Sequence, residues 1–261
     1  DGIENTAVTA QFPDSERLQA FYKAITSGAM AWTISKDSRY SSAVASLVRT
    51  WMVQSSTRMN PNMNFAQFAD DYSSPTRTNS GIIEINYANE LWDAFSAVLQ
   101  MPELSSSEKT TITNWLQSFY TWLTTDPGSI KESITANNHS VYWYLTTASL
   151  ADTLGKTAEA KSYLEKVKPL IAAQILPSGE MPEETRRTLG LTYTFFTLKA
   201  YTALGALGAK NGVDLMNYQT PDGRSIKKAL DFAAPFALNT SPFPFTQVRP
   251  VSTSEYRYAQ A

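Results

Sequence analysis

Residues 105–128 read SSSEKTTITNWLQSFYTWLTTDPG and contain the start, the body and the end of one amphipathic helix. Ser105 and Glu108 have the spacing of a capping box, in which each side chain bonds the backbone N–H of the other residue. Large apolar residues then recur every three or four positions, which is the period of a helix with one buried face. Asp126-Pro127-Gly128 follows as a stop signal. The predicted buried face consists of Ile112, Trp115, Leu116, Phe119 and Trp122.

The same period continues on both sides of this helix, whereas the alternation typical of strands is almost absent. Asp14 is the expected cap of the first helix, and Gly155 is the expected end of a later one. Gly205 and Gly208 are expected to close the helix that precedes them. The further predicted helices cover residues 18–32, 44–51, 83–99, 141–154, 160–171, 191–204 and 226–233.

The connections between these helices alternate in length. Those within a pair are short, whereas residues 55–80 and 176–187 are long and rich in Asn, Pro, Ser and Thr. Helical hairpins in series generally stack side by side and place their longer loops on one rim. The sequence therefore predicts an all-α chain, an incomplete (α/α) toroid of about four antiparallel helical hairpins. We expect one domain over residues 1–261.

Composition excludes several kinds of chemistry. The chain has no Cys and one His, so disulfides, thiolate nucleophiles and multi-histidine metal sites are absent from it. A formal net charge of −2 gives no long-range attraction to nucleic acid or to an anionic membrane. No apolar run reaches the roughly 18 residues of a membrane span. We therefore expect neither nucleic acid nor a membrane as partner, and no metal or other cofactor.

Three polar segments are too specific for simple helix packing. The first is TRMNPNMNFAQ at residues 57–67, and the second is NNHSVYWY at residues 137–144. In the second, Asn137 and Asn138 either cap the helix that starts there or donate hydrogen bonds to a bound carboxylate. His139 follows them, and a neutral imidazole beside a bound anion can take a proton.

The third segment, PEETRRTLGLTY at residues 182–193, places two carboxylates and two guanidiniums near a helix start. Glu183 and Glu184 suit the positive end of a helix dipole, whereas Arg186 and Arg187 do not. A guanidinium is the side chain best shaped to hold a carboxylate. On one continuous helix, Tyr193 would lie six residues, a little under two turns, after Arg187. Tyr193 is either a core residue or a member of the same site.

Together these segments resemble the signature blocks of the alginate lyase superfamily of polysaccharide lyases. The resemblance includes GII at residues 81–83 and extends from about Asp14 to about Phe236. The chain departs from the usual family pattern at Ser140, where Gly is common, and at Thr192, where His is common.

The resemblance implies an (α/α) toroid that cleaves a uronic-acid polysaccharide by β-elimination. Asn138 and Arg187 match the residues that neutralise the substrate carboxylate. Tyr193 matches the tyrosine that protonates the leaving O4 and also takes the C5 proton when both lie on the same face of the sugar. His139 matches the histidine that assists this tyrosine, or that acts as base when the proton lies on the opposite face.

The resemblance also implies an acidic polysaccharide as partner, either mannuronate-rich alginate or glucuronan, and a secreted, extracellular or periplasmic location. A non-catalytic protein that binds the same polymers is the alternative, because a fold does not guarantee its chemistry. Retention of both His139 and Tyr193 favours the enzyme. The predicted substrate-binding residues are Asn137, Arg58, Asn62, Gln67, Trp51, Arg186 and Tyr142.

Overall fold

The structure, a computed structural model, describes residues 13–66, 80–85 and 88–251. Every regular element in these residues is helical, and the β-pairing found there is an isolated antiparallel bridge between Leu189 and Gln247. None of the described helices combines the length and the apolarity that a membrane span requires. The prediction of an all-α chain is therefore confirmed.

The α-helices are numbered here in chain order. They are α1 (Asp14–Ser35), α2 (Ser38–Val48), α3 (Ala88–Val98), α4 (Ser106–Thr125), α5 (Pro127–Glu132), α6 (Asn138–Thr153), α7 (Thr157–Glu165), α8 (Val167–Gln174), α9 (Pro182–Thr185), α10 (Gly190–Lys210) and α11 (Ile226–Ala237). A π-helical turn at Arg49–Val53 and a 3₁₀ helix at Ser80–Ile85 complete the regular structure of the described residues.

The chain divides into two compact units. The N-terminal unit comprises the described residues up to Lys131 together with Ser149–Lys156. The C-terminal unit comprises Glu132–Ala148 and the described residues from Thr157 onward. Our expectation of one domain over residues 1–261 stays a prediction.

The capping box that the sequence predicts is present in the N-terminal unit, at the start of α4. The Ser105 hydroxyl accepts a hydrogen bond from the Glu108 backbone at 3.2 Å, and the Glu108 carboxylate accepts from the Ser105 backbone at 2.8 Å. Helix α4 starts there and packs against the π-helical turn, while α1 packs against α2 and α3. The aromatic face of α4 is largely buried, with Phe119 in contact with Trp92 and Trp115.

Three helix predictions differ from the structure. Asp14 is the first residue of α1 rather than its cap, because Pro13 occupies the cap position. The predicted helix over 160–171 is divided into α7 and α8. Pro169 explains this division, because it has no N–H to donate to the Glu165 carbonyl and its ring crowds that oxygen. The predicted helix over 83–99 contains the end of the 3₁₀ helix and α3, and residues 86–87 lie outside the described part of the chain.

In the C-terminal unit, α10 packs against α7, α9 and α11 and is longer than predicted. It continues through Gly205 and Gly208 to Lys210. A Cβ atom at Gly208 would lie 2.5 Å from the backbone oxygen of Val213, and one at Gly205 would lie 2.5 Å from the Met216 sulfur. These glycines therefore allow close packing inside the helix and do not end it.

Candidate active site

The segment Asn137–Ser140 forms the first turn of α6. The side-chain oxygen of Asn137 accepts a hydrogen bond from the His139 backbone at 3.2 Å, and therefore acts as a helix cap. The backbone oxygen of Asn137 accepts from the Gln174 amide at 3.1 Å. The same amide donates to the Ser140 hydroxyl at 2.8 Å, and the Tyr201 hydroxyl donates to Gln174 at 2.9 Å. Gln174 thus holds this turn against α8 and α10.

Asn138 is bound to a buried carboxylate. Its backbone N–H donates to Glu184 at 2.6 Å, and its side-chain amide donates to the second oxygen of the same carboxylate at 2.9 Å. Both residues are 1% exposed. Burial raises the pKa of the Glu184 carboxyl above its ordinary value, and the hydrogen bonds from Asn138 and the charge of Arg187 offset only part of this rise. Asn138 is predicted to bind a substrate carboxylate, and the structure shows that one of its amide hydrogens is used inside the protein.

His139 contacts a second carboxylate, from the last residue of α5. Its Nδ1 atom lies 2.6 Å from Oε2 of Glu132. The Glu132 side chain is 7% exposed, whereas the imidazole is 21% exposed. One ring nitrogen of His139 is therefore bound by the protein on a side that is closed to solvent.

Arg187 and Tyr193 are in direct contact. The guanidinium carbon of Arg187 lies 3.8 Å from the centre of the Tyr193 ring, and both side chains are half-buried. The helical register that we predicted between them is wrong, because α9 ends at Thr185 and α10 starts at Gly190. A loop between two helices brings the cation and the phenol together.

This loop is held by a distant segment near the C-terminus. The Gly190 N–H donates to the backbone oxygen of Thr246 at 3.1 Å, and the Val248 N–H donates to that of Thr188 at 3.0 Å. The Gln247 side-chain oxygen accepts from the Leu191 N–H at 3.0 Å. Gln247 also donates to the Thr192 hydroxyl at 3.0 Å. The start of α10, which carries Tyr193, is therefore capped from a residue more than 50 positions away.

Three of the four predicted catalytic residues are linked through Glu184. This carboxylate binds Asn138 and interacts electrostatically with Arg187, which in turn contacts Tyr193. The fourth, His139, follows Asn138 directly in α6. All four belong to the C-terminal unit.

The three predicted substrate-binding residues of this unit are all engaged within the protein, and for Asn137 the partner is the His139 backbone described above. Tyr142 is completely buried, and its hydroxyl donates to the Phe196 backbone at 2.9 Å, so the prediction that it binds substrate is corrected. Arg186 is exposed and forms an ion pair with Glu183. This pair gives Arg186 a structural explanation that we did not foresee.

Three predicted substrate-binding residues, Arg58, Asn62 and Trp51, belong to the N-terminal unit. Arg58 is exposed, and Asn62 is half-buried with its side-chain oxygen accepting from the Asn64 backbone at 3.2 Å. Trp51 stacks on Phe21 at 4.6 Å between ring centres. Gln67 lies outside the described residues.

The block that contains Arg58 and Asn62 is fixed by two tryptophans of α4. The indole of Trp115 donates to the backbone oxygen of Met59 at 2.8 Å, and that of Trp122 donates to Asn64 at 2.9 Å. These two tryptophans of the largely buried face of α4 thus also supply hydrogen bonds that order the loop. The roles of Arg58, Asn62 and Trp51 in binding stay predictions.

Sequence reasoning missed Glu132, Gln174 and Gln247. Glu132 precedes His139 by seven positions, and the helix is interrupted between them, so no periodic pattern pairs the two residues. Gln174 and Gln247 act through contacts between distant parts of the chain. Among the described residues, no group of three or more His, Cys, Asp or Glu side chains is arranged to hold a metal ion.

Comparison with known proteins identifies similar chains. The family model described as "Alginate lyase" matches residues 3–243. The crystal structure of an alginate lyase from Bacteroides ovatus superposes with a TM-score of 0.88 at 25% sequence identity, over 94% of this chain and 65% of that one. This similarity confirms the predicted fold class, and the chain spans less than two thirds of that lyase. No curated protein matches.

Proposed function

The chain belongs to the alginate lyase family, and from that premise we propose that it is a polysaccharide lyase. Its substrate would be a polymer of 1,4-linked uronates, and its reaction β-elimination. The observation that carries this proposal is the contact between Arg187 and Tyr193, at 3.8 Å from guanidinium carbon to ring centre. It brings a permanent positive charge and a proton-transfer group into one place.

The chemical problem of the reaction is the weak acidity of the C5 proton, which lies next to a carboxylate. Removing it builds negative charge on that carboxylate in an enolate-like transition state. A positioned cation stabilises this charge, and Arg187 is the residue that we assign to it. A guanidinium suits the task because it stays protonated and matches the shape of a carboxylate.

Tyr193 is the residue that we assign to both proton transfers. The C5–H bond breaks, its electrons form the C4–C5 double bond, and the C4–O4 bond breaks. The proton taken from C5 is balanced by the proton delivered to O4, so no water and no oxidant are consumed. His139 assists Tyr193, and Asn138 supports the carboxylate site through its bonds to Glu184, whose carboxylate interacts with Arg187.

The substrates that we favour are mannuronate-rich alginate and glucuronan. In both, the C5 proton and O4 lie on the same face of the sugar, so one phenol can serve both atoms. Guluronate presents them on opposite faces and would need His139 as a separate base. A polymeric substrate of this kind also supports a secreted or periplasmic location.

Mass spectrometry of the products tests the reaction type. Elimination adds no water across the cleaved bond, so the oligosaccharides that carry the new non-reducing end should be lighter by one water than hydrolysis products of the same length. Products with the full mass of hydrolysis products would contradict the proposal.

A further inference from the structure

The carboxylate of Glu132 faces the imidazole of His139 at Nδ1 and not at Nε2. The two atoms Nδ1 and Oε2 are 2.6 Å apart, and the carboxylate is nearly inaccessible to solvent. Glu132 is the last residue of α5, and the Thr135 N–H donates to its backbone oxygen at 3.3 Å. The side chain is therefore presented from a short helix whose end is itself fixed.

This geometry determines which ring nitrogen can accept a proton. An ionised carboxylate only accepts hydrogen bonds, so Nδ1 must carry the hydrogen that it donates to Glu132. In a neutral imidazole, the lone pair then lies on Nε2. The first turn of α6 fixes the backbone of the same residue, since the Asn137 side chain caps the His139 N–H.

We propose that Glu132 is the positioning residue of the site: it holds His139 with Nδ1–H toward its carboxylate and leaves Nε2 as the atom that takes part in proton transfer. This inference rests on the proposed function for its kinetic part, and on the geometry alone for its structural part. Carboxylates that orient functional histidines in this way are widespread, and their loss commonly lowers activity.

The composition of the chain makes the structural part directly measurable. His139 is the one histidine of the sequence, so the imidazole resonances in nitrogen NMR of labelled protein need no assignment. At a pH where the ring is neutral, the proton is expected on Nδ1 in the wild type. Glu132→Ala should move it to Nε2, the form that free histidine prefers. A wild-type proton on Nε2, or an Ala variant that keeps it on Nδ1, would overturn the proposal.

Kinetics on mannuronan and glucuronan test the consequence for catalysis. Glu132→Ala should lower kcat by about 10-fold to 100-fold, by analogy with carboxylates that orient metal-bound histidines, with little change in KM. Glu132→Gln offers a neutral oxygen to Nδ1–H and should retain the tautomer and more of kcat than Ala. The matched control is Glu165→Gln, since Glu165 is exposed and paired with Lys168 at 2.6 Å. This variant should change neither the tautomer of His139 nor kcat.

The two proposals fail in different ways. A wild-type protein that cleaves none of the polymers contradicts the proposed function, and NMR still decides the tautomer. An active wild type whose Glu132→Ala variant keeps both its kcat and its Nδ1 proton overturns the positioning role and leaves the lyase intact. Should the Ala variant not fold, the wild-type tautomer and the Gln variant decide.

Discussion

The guanidinium carbon of Arg187 lies 3.8 Å from the centre of the Tyr193 ring, within the range of a cation–π contact. Arg187 also interacts with the buried carboxylate of Glu184, which binds Asn138 through two hydrogen bonds. The contact therefore belongs to a chain of interactions that joins the loop before α10 to the first turn of α6. A substitution at one of these four residues should therefore alter the positions of the others.

Tyr193→Phe should abolish most of the lyase activity and leave the fold intact. The variant keeps the ring that contacts Arg187 and removes the hydroxyl that we assign to proton transfer. General acid–base groups contribute about 100-fold to 10,000-fold to a rate, and kcat should fall within that range or further. Initial rates on mannuronan and glucuronan, with circular dichroism as a check of folding, measure the effect.

A second tyrosine beside a cation provides the control for this substitution. The ammonium nitrogen of Lys168 lies 5.8 Å from the ring centre of Tyr218. Tyr218→Phe should leave kcat unchanged. Equal activity in the two variants would remove the Tyr193 hydroxyl from the mechanism.

Relative to the Glu184→Gln variant, the wild type should lose stability as the pH rises. Burial raises the folded-state pKa of this carboxyl above its ordinary value of 4.5. At a pH between the pKa of the unfolded state and that of the folded state, the folded chain therefore binds more protons than the unfolded chain. The contribution of Glu184 to the free energy of unfolding is therefore greatest below that window and falls as the pH rises through it. Urea unfolding of both proteins across the window measures the difference.

An exposed glutamate again supplies the comparison for the pH series. Glu165→Gln should give a stability difference from the wild type that changes little with pH, since its carboxylate is open to solvent and paired only at the surface. A constant difference between the wild type and Glu184→Gln would contradict the raised pKa of the buried carboxyl.

Gln247→Ala should destabilise the protein by about 1 kcal/mol, the usual cost of removing a helix cap. The side chain accepts from the Leu191 N–H at 3.0 Å and donates to the Thr192 hydroxyl at 3.0 Å, at the helix start that carries Tyr193. We therefore also expect a lower kcat. Gln219→Ala, at an exposed turn, should leave the free energy of unfolding and kcat nearly unchanged. Similar values for the two variants would rule out a capping role.

Local signals in the sequence predicted much of the helical structure. The capping box of Ser105 and Glu108 and the apolar face of α4 form as expected, because each depends on residues three or four positions apart. Gly205 and Gly208 were misleading, since their role depends on Met216 and Val213, which lie outside the helix.

The arrangement of the site was less predictable than its members. The residues Asn138, His139, Arg187 and Tyr193 could be named from their motifs, but the loop that brings Arg187 to Tyr193 is held from Thr246 and Val248. Pairs such as Glu132 with His139 and Glu184 with Asn138 depend on chain turns between helices. No periodic pattern in the sequence encodes such contacts.

The most direct test of the proposed lyase is ultraviolet absorbance during incubation with polymannuronate, polyguluronate and glucuronan, each separately. Elimination leaves a double bond conjugated with the carboxylate, which hydrolysis cannot produce. We expect the absorbance to rise on polymannuronate or on glucuronan, and faster than on polyguluronate. If the folded protein binds these polymers on a column but the absorbance rises on none of them, the lyase is contradicted. The chain would then be a carbohydrate-binding protein.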